Sequence, residues 1–268
     1  MDGRHDRWEW AGYGQTDRGL IRANNQDAFL VDNRRRIWAV ADGMGGHPGG
    51  DVASRSVVDT LADFAPTLCR STASSQHNDD EQGRFLLTTI AEQAHATLRA
   101  HAARHPPFSG MGTTLVMAHL LPLAQPRLLV LNVGDSRAYL IRGSTLIQLT
   151  RDHSLIEDSI RAGRLTPAQA AHHPDRHVLT RAMGLGSRLE CDLFSRDLRS
   201  GDLLLLCSDG LTNMLTDEDI LRTVLTHPQD AVRSTRALIQ AALDRGGIDN
   251  VTVVTCTITE IPAQANSH

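Results

Sequence analysis

Five aspartates in this chain share a local setting that invites metal chemistry. Asp42 in VADG, Asp135 in NVGDS, Asp209 in CSDG and Asp249 in IDNV each stand at the edge of an apolar run beside glycine or asparagine, and Asp27 in NQDA stands at the start of another. Asp-Gly is a common turn dipeptide, so each aspartate taken singly also reads as a turn. Turns account for each residue but not for their shared placement. If neighbouring strands share that edge, the carboxylates converge, and converging carboxylates repel unless cations compensate them. Oxygen donors without thiolate or imidazole partners favour a hard ion, Mg2+ or Mn2+, over zinc. Two such ions can activate one water for in-line attack on phosphorus. Arg22, in a polar loop ahead of Asp27, could grip phosphate oxygens in a bidentate fork. Spacing alone leaves the metal site and the set of separate turns both open.

Those side chains need rigid supports, and the chain supplies them as short apolar runs. The organising stretch is Ile37 to Asp51, IWAVADGMGGHPGGD, where a buried strand ends on Asp42-Gly43 and opens into a glycine-rich loop. Further strands are expected over Trp10–Thr16, Ala28–Val31, Asp202–Cys207 and Val251–Ile258. Between them, TTLVMAHL, PRLLVLNV, SRAYLIR and TLIQLT have hairpin-like spacing and read as one antiparallel meander. Apolar residues at three- and four-residue spacing predict helices over Val52–Leu68, Arg84–Arg104, Thr216–Thr226 and Pro228–Arg245, with two short ones over Asp152–Gly163 and Thr166–His173. Residues 71 to 83 are polar and aperiodic, an exposed connection, and the tail from Pro262 is expected to fray. With no repeat and no long linker, one α+β domain is the simplest account.

Composition narrows the function classes. A chain of 268 residues with 41% hydrophobic residues, 22% charged residues and a net charge of −4 is ordinary for a soluble globular protein. No basic stripe points to nucleic acid, and lysine is absent altogether. The longest apolar run, Leu203 to Cys207, is far too short to span a bilayer, and the first ten residues lack a signal-peptide core. Cys69, Cys191, Cys207 and Cys256 are scattered, without a C-x-x-C, and read as reduced thiols of a cytoplasmic protein.

RANNQDA, VADGMGGHPGGDVAS, GMGTTL, NVGDSRAYLIR, LTRDHS, LTRAMG, LLLCSDGLTNML and DNVTVV follow one another in an order that resembles the metal-dependent Ser/Thr protein phosphatases of type 2C, the PPM family, in their compact bacterial form. The pieces cover the chain from about Gly12 to Thr259. The resemblance implies a four-layer α-β-β-α sandwich, two antiparallel sheets flanked by helices. It also implies a single catalytic domain over 1–268, with its core at about 12–259 and a flap at about 152–176. Carried over by position, Asp42, Asp209 and Asp249 would bind two bridged Mn2+ or Mg2+ ions, with the Gly43 carbonyl on one of them. Asp27 would act through coordinated water, Arg22 would hold the substrate phosphate, and Asp135 with Asp209 would take a third ion. Arg22, Asp42, Asp209 and Asp249 would carry the catalysis.

The reaction implied is hydrolysis of phosphoserine or phosphothreonine by a metal-bridging hydroxide, without a phosphoenzyme. The partners implied are phosphorylated proteins, among them a bacterial eukaryotic-like Ser/Thr kinase and its substrates. The chain is expected to act as a cytoplasmic monomer that binds no nucleic acid. Asp152, His153 and Ser154 are expected to fasten the base of the flap. Two departures stand out: Met44 occupies the position of a candidate general acid in animal members, and Gln26 replaces the usual glutamate of the first motif. His47 is close in sequence but has no established part. Other readings of the same residues are a catalytically silent module that holds phosphorylated partners and a phosphatase of small phosphoesters.

Overall fold

Ile37–Ala41, Leu115–Leu121 and Leu203–Cys207 are apolar at nearly every position and buried throughout. A strand without polar alternation must be covered on both faces, and the fold covers them. A computed structural model describes residues 7–44, 49–72, 79–170, 173–175 and 177–261. The strands are β1 (Trp8–Asp17), β2 (Asp27–Asp32), β3 (Ile37–Met44), β4 (Gly112–Thr113), β5 (Leu115–Leu121), β6 (Arg127–Val133), β7 (Arg137–Arg142), β8 (Thr145–Gln148), β9 (Asp192–Asp197), β10 (Leu203–Cys207) and β11 (Val251–Glu260). The helices are α1 (Gly50–Thr72), α2 (Asp79–Arg104), α3 (Leu155–Arg161), α4 (Pro167–Ala170), α5 (Asp209–Thr212), α6 (Asp217–Leu225) and α7 (Ala231–Asp244).

One sheet runs in the order β1-β11-β10-β7-β8 and the other β2-β3-β5-β6-β9, with the short β4 beside β3. Every pairing is antiparallel. Alternate residues of each strand serve different layers, as the two-residue period requires. Trp38, Val40, Val116 and Ala118 meet Leu140, Leu204, Leu206 and Val254 between the sheets. Ile37, Ala39, Leu115 and Met117 face the other way and pack under Val57, Leu61, Leu87 and Leu98 of α1 and α2. Tyr139, Leu205 and Val253 turn outward to Ile220, Leu238 and Ile239 of α6 and α7. The expected four-layer α-β-β-α sandwich is the architecture observed.

Several sequence expectations need correction. The four middle strands do not form one meander: β5 pairs with β6 in one sheet and β7 with β8 in the other. The chain changes sheets at Gly134-Asp135-Ser136, where Gly134 adopts φ 101°. The connection expected over 71–83 is shorter, because α1 continues to Thr72 and α2 begins at Asp79. An ion pair between Asp80 and Arg84 at 2.9 Å, and an Arg84 bond to Ser195 Oγ at 2.6 Å, tie that first turn to β9. Strand β9 itself was not foreseen, nor was the single turn α5. The short helix expected from Asp152 begins at Leu155, capped by Ser154 Oγ, because Asp152 is engaged elsewhere. Residues 45–48, 73–78 and 262–268 lie outside the described residues. That covers His47, most of the glycine-rich loop, the centre of the 71–83 connection and the tail; the helix expected over Thr166–His173 is described only in part.

Candidate active site and metal centre

The sandwich brings the strand-edge aspartates to one end. β2 and β3 pair with Asp27 directly opposite Asp42, so both acids lie inside paired strands rather than in free turns. β10 ends at Cys207, and Ser208 then starts α5, placing Asp209 at the first position of that turn. β11 begins at Val251, immediately after Asp249-Asn250. Thr114 joins the Asp42 strand to the Asp135 turn. Its N–H donates to the Asp42 carbonyl at 2.9 Å, its Oγ1 accepts from the Asp42 N–H at 3.0 Å, and the same Oγ1 lies 2.7 Å from Ser136 Oγ.

Two glycines permit the close approaches. A Cβ on Gly43 would stand 2.1 Å from the Gly50 carbonyl oxygen at the start of α1, and one on Gly210 would stand 1.9 Å from the Asn250 carbonyl oxygen. Both obstacles are backbone, so only glycine fits.

Asp42, Gly43, Asp135, Asp209, Asp249 and Arg22 line one cleft of about 680 Å³. Arg22 Nη2 donates to Asp249 Oδ2 at 2.7 Å. Asp27 lies beneath the cleft, where its Oδ2 accepts from Ser208 Oγ at 2.8 Å and Thr252 Oγ1 at 2.6 Å, while its Oδ1 is buried with no hydrogen-bond partner. All seven residues singled out from sequence therefore gather at this end, six in the cleft wall and Asp27 just behind. Arg22 joins them from the β1–β2 loop.

The electrostatics are those of crowded, buried carboxylates with one arginine at their edge. Burial, then the charges of Asp27 and Asp209, pushes Asp42 well above the usual carboxylate range. Burial and the Asp209 charge push Asp135 up to about 8. Burial pushes Asp27 up to about 7 against the two hydroxyl bonds that favour its charged form. Asp209 is raised by burial and by Asp249, although Asn213 Nδ2 donates to its Oδ2 at 3.0 Å. Among the described residues no group of three or more His, Cys, Asp or Glu side chains is already close enough to hold one metal ion; the acids share a cleft wall without closing on a single point. An all-oxygen set of side chains, in which burial and acidic neighbours raise Asp42, Asp135 and Asp209 and in which Asp27 Oδ1 is buried without a partner, fits hard divalent cations.

Asp152 and His153, expected at the base of a flap, are tied to Arg137 of β7 and to the Gly134 turn. Arg137 Nε and Nη2 donate to Asp152 at 2.9 and 2.7 Å. His153 is buried and accepts at Nδ1 from the Gly134 N–H at 3.1 Å, and its backbone pairs with Gly134 and Thr180. Its Nε2 lies 3.4 Å from Asp192 Oδ2 and 3.2 Å from Arg181 Nη1. It is a fastener, held outside the cleft wall. His177 does line the cleft, as do Arg181, Arg188, Glu190 and Met44.

Asn250 and His177 were missed from sequence. Asn250 Oδ1 accepts from the Gln26 N–H at 2.8 Å, and its Nδ2 donates to the carbonyls of Arg18 at 2.8 Å and Asn24 at 2.9 Å. It therefore holds the loop that carries Arg22 to the edge of β11. Its only sequence signal is its place beside Asp249. Ser208 and Thr252, the hydroxyls on Asp27, carried a clearer one: polar residues at the end of or within apolar strands, both fully buried.

Comparison with known proteins follows the same contour. A family model described as protein phosphatase 2C matches residues 15–245. A serine/threonine protein phosphatase PstP of Mycobacterium tuberculosis is 40% identical over 249 residues, which cover 92% of this chain and 44% of that protein. A serine/threonine phosphatase stp of Listeria monocytogenes is 40% identical over 247 residues, covering 90% of this chain and 92% of that one. Among solved structures, the catalytic domain of PstP in complex with two manganese ions superposes with a TM-score of 0.79 at 35% identity, covering 94% of this chain and 99% of that one.

Proposed function

The chain belongs to the protein phosphatase 2C family, and on that premise we propose that it is a metal-dependent protein serine/threonine phosphatase. The observation that carries this reading is the gathering of Asp42, Asp135, Asp209 and Asp249, with Arg22, in one cleft. In this reading Asp42, Asp209 and Asp249 hold two Mn2+ or Mg2+ ions, with the Gly43 carbonyl on one of them, and Asp135 with Asp209 holds a third. The structure of PstP with two manganese ions supports the choice of metal and the pair. When bound, such ions polarise the phosphoryl oxygens and acidify a water to attack phosphorus directly.

The chain's own groups do the rest. Arg22 keeps one nitrogen on Asp249 and has the remainder of its guanidinium to orient phosphate oxygens. Asp27, clamped by Ser208 and Thr252, fixes a negative charge behind the ions. Asn213 braces Asp209. Met44 has no proton to give, so leaving-group protonation falls to another group, and His177 supplies an imidazole in the cleft wall.

Residues 1–268 form one catalytic domain in this reading, with its core at about 12–259 and its flap at about 152–176. The chain spans 44% of the length of the M. tuberculosis relative. Its substrates are phosphorylated proteins, including those of a Ser/Thr kinase that it opposes. In this reading it acts as a monomer. The free thiols of Cys191, Cys207 and Cys256 fit a reducing cytoplasm; among the described residues no helix is long and apolar enough to cross a membrane.

The test is hydrolysis of p-nitrophenyl phosphate and of a phosphothreonine peptide with Mn2+, Mg2+ or EDTA, beside Asp209→Ala. Turnover with Mn2+ that disappears in EDTA and in the variant is expected. A folded wild type that stays inactive with every metal would leave a phosphoprotein-binding module as the account of the cleft.

A further inference from the structure

Two loops form the lip of the cleft on the Arg22 side. The β1–β2 loop carries Leu20-Ile21-Arg22, and the α7–β11 turn carries Gly246-Gly247-Ile248-Asp249. The Leu20 N–H donates to the Gly247 carbonyl at 2.7 Å, which ties the two loops together. A Cβ on Gly247 would lie 3.2 Å from Leu20 Cγ, which places the leucine over the turn. Leu20, Ile21 and Ile248 are 63%, 70% and 46% exposed. Single exposed aliphatics are ordinary, whereas three brought together by a shared hydrogen bond make a patch that water solvates poorly.

The position of this patch says what covers it. Ile21 precedes Arg22 and Ile248 precedes Asp249, and those two neighbours are themselves bonded at 2.7 Å. Ile248 is part of the cleft wall. A peptide chain on one flank of a phosphorylated residue held by Arg22 would pass beside Ile248 in the cleft wall and Ile21 next to Arg22. The wall contributed by residues 179–190 is mixed, with Arg181, Arg188 and Glu190 beside Leu179 and Leu185. Resting on the phosphatase reading above, we propose that Leu20, Ile21 and Ile248 form a specificity lip that selects phosphoproteins with an apolar side chain next to the phosphorylated residue, on the one flank that crosses it. A phosphate monoester without a peptide chain has nothing to place there.

The experiment compares kcat/KM, with Mn2+, for phosphothreonine peptides that carry leucine or aspartate immediately before or immediately after the phosphothreonine. On one flank, leucine should be favoured by about tenfold, the scale on which a hydrophobic subsite discriminates. Ile21→Ser and Ile248→Ser should each shrink that ratio, and Ile21→Arg should turn the preference toward aspartate, which loss of structure alone would not do. These positions are exposed, and a thermal melt confirms that each variant folds. Wild-type ratios within about twofold on both flanks, or a preference that survives both serine variants, would overturn the lip. In that case Mn2+-dependent turnover of p-nitrophenyl phosphate would leave the phosphatase reading standing. No turnover of any substrate would remove both.

Discussion

Replacing Asn250 with alanine tests whether the Arg22 loop is held from β11. The asparagine is buried and makes three bonds to the loop, one accepted from Gln26 N–H and two donated to Arg18 and Asn24 carbonyls, all between 2.8 and 2.9 Å. At about 1 kcal/mol net for each bond, the variant should lose about 3 kcal/mol of stability. With about 2–4 °C per kcal/mol for a chain near this size, the melting temperature should fall by about 6–12 °C. The loop would loosen around Arg22, whose grip on phosphate is lost before the metal ligands are disturbed. KM for a phosphothreonine peptide should therefore rise more than kcat falls. Asn250→Asp keeps the acceptor but sets a carboxylate against two carbonyl oxygens, so it should be at least as damaging. Urea denaturation and steady-state kinetics on the same preparations give both readouts. A loss below about 1 kcal/mol, or a large loss with KM untouched, would refute the idea that this side chain positions Arg22.

The raised carboxyls give stability a pH dependence with a definite sign. Asp27 at about 7 and Asp135 at about 8 hold protons in the folded chain that the unfolded chain has released, so metal-free stability should fall as pH rises from about 4 to about 8. Melting in EDTA at pH 5.5 and pH 8 checks this, and saturating Mn2+ should raise the melting temperature more at pH 8, where the ligands are deprotonated. Equal metal shifts at both pH values would count against the carboxylate site. Gly43→Ala drives a methyl group into the Gly50 carbonyl and should cost about 1–3 kcal/mol or more on denaturation. If His177 protonates the leaving group, His177→Gln should slow a phosphothreonine peptide far more than p-nitrophenyl phosphate, whose leaving group departs as a stable anion. Equal slowing of the two substrates would assign the residue to binding.

What could be read from sequence depended on whether the signal was local. The runs around Trp38, Met117 and Leu205 announce doubly covered strands because nearly every position is apolar. The sheet to which each strand belongs is not written there, and so two hairpins were read as one meander: the change of sheet rests on one left-handed glycine, Gly134. β9 escaped notice because DLFSRD is a half-exposed edge strand whose existence depends on β6 beside it. The aspartates were legible since each combines strand, acid and turn within a few residues. Asn250 was not, because its three partners lie 224 to 232 positions away in the chain.

That contrast divides the site by origin. The acids are held by the sandwich itself: Asp27 and Asp42 face each other across a strand pair, Asp42 is bonded fore and aft by Thr114, and Asp209 and Asp249 adjoin strands buried on both faces. Holding like charges so close opposes folding until a cation is bound, and the cost is tolerable because the sheets beneath cannot relax to separate them. Arg22, Ile21, Ile248 and His177 stand instead on loops, and the two that carry Arg22 and Ile248 are joined by a few hydrogen bonds, those of Asn250 and that of Leu20 to Gly247. Loops are where substitutions are absorbed without disturbing a core. Changes in substrate choice should therefore be obtainable at the lip with the Mn2+ response intact, whereas changes beneath Asp42 should weaken metal binding and stability together.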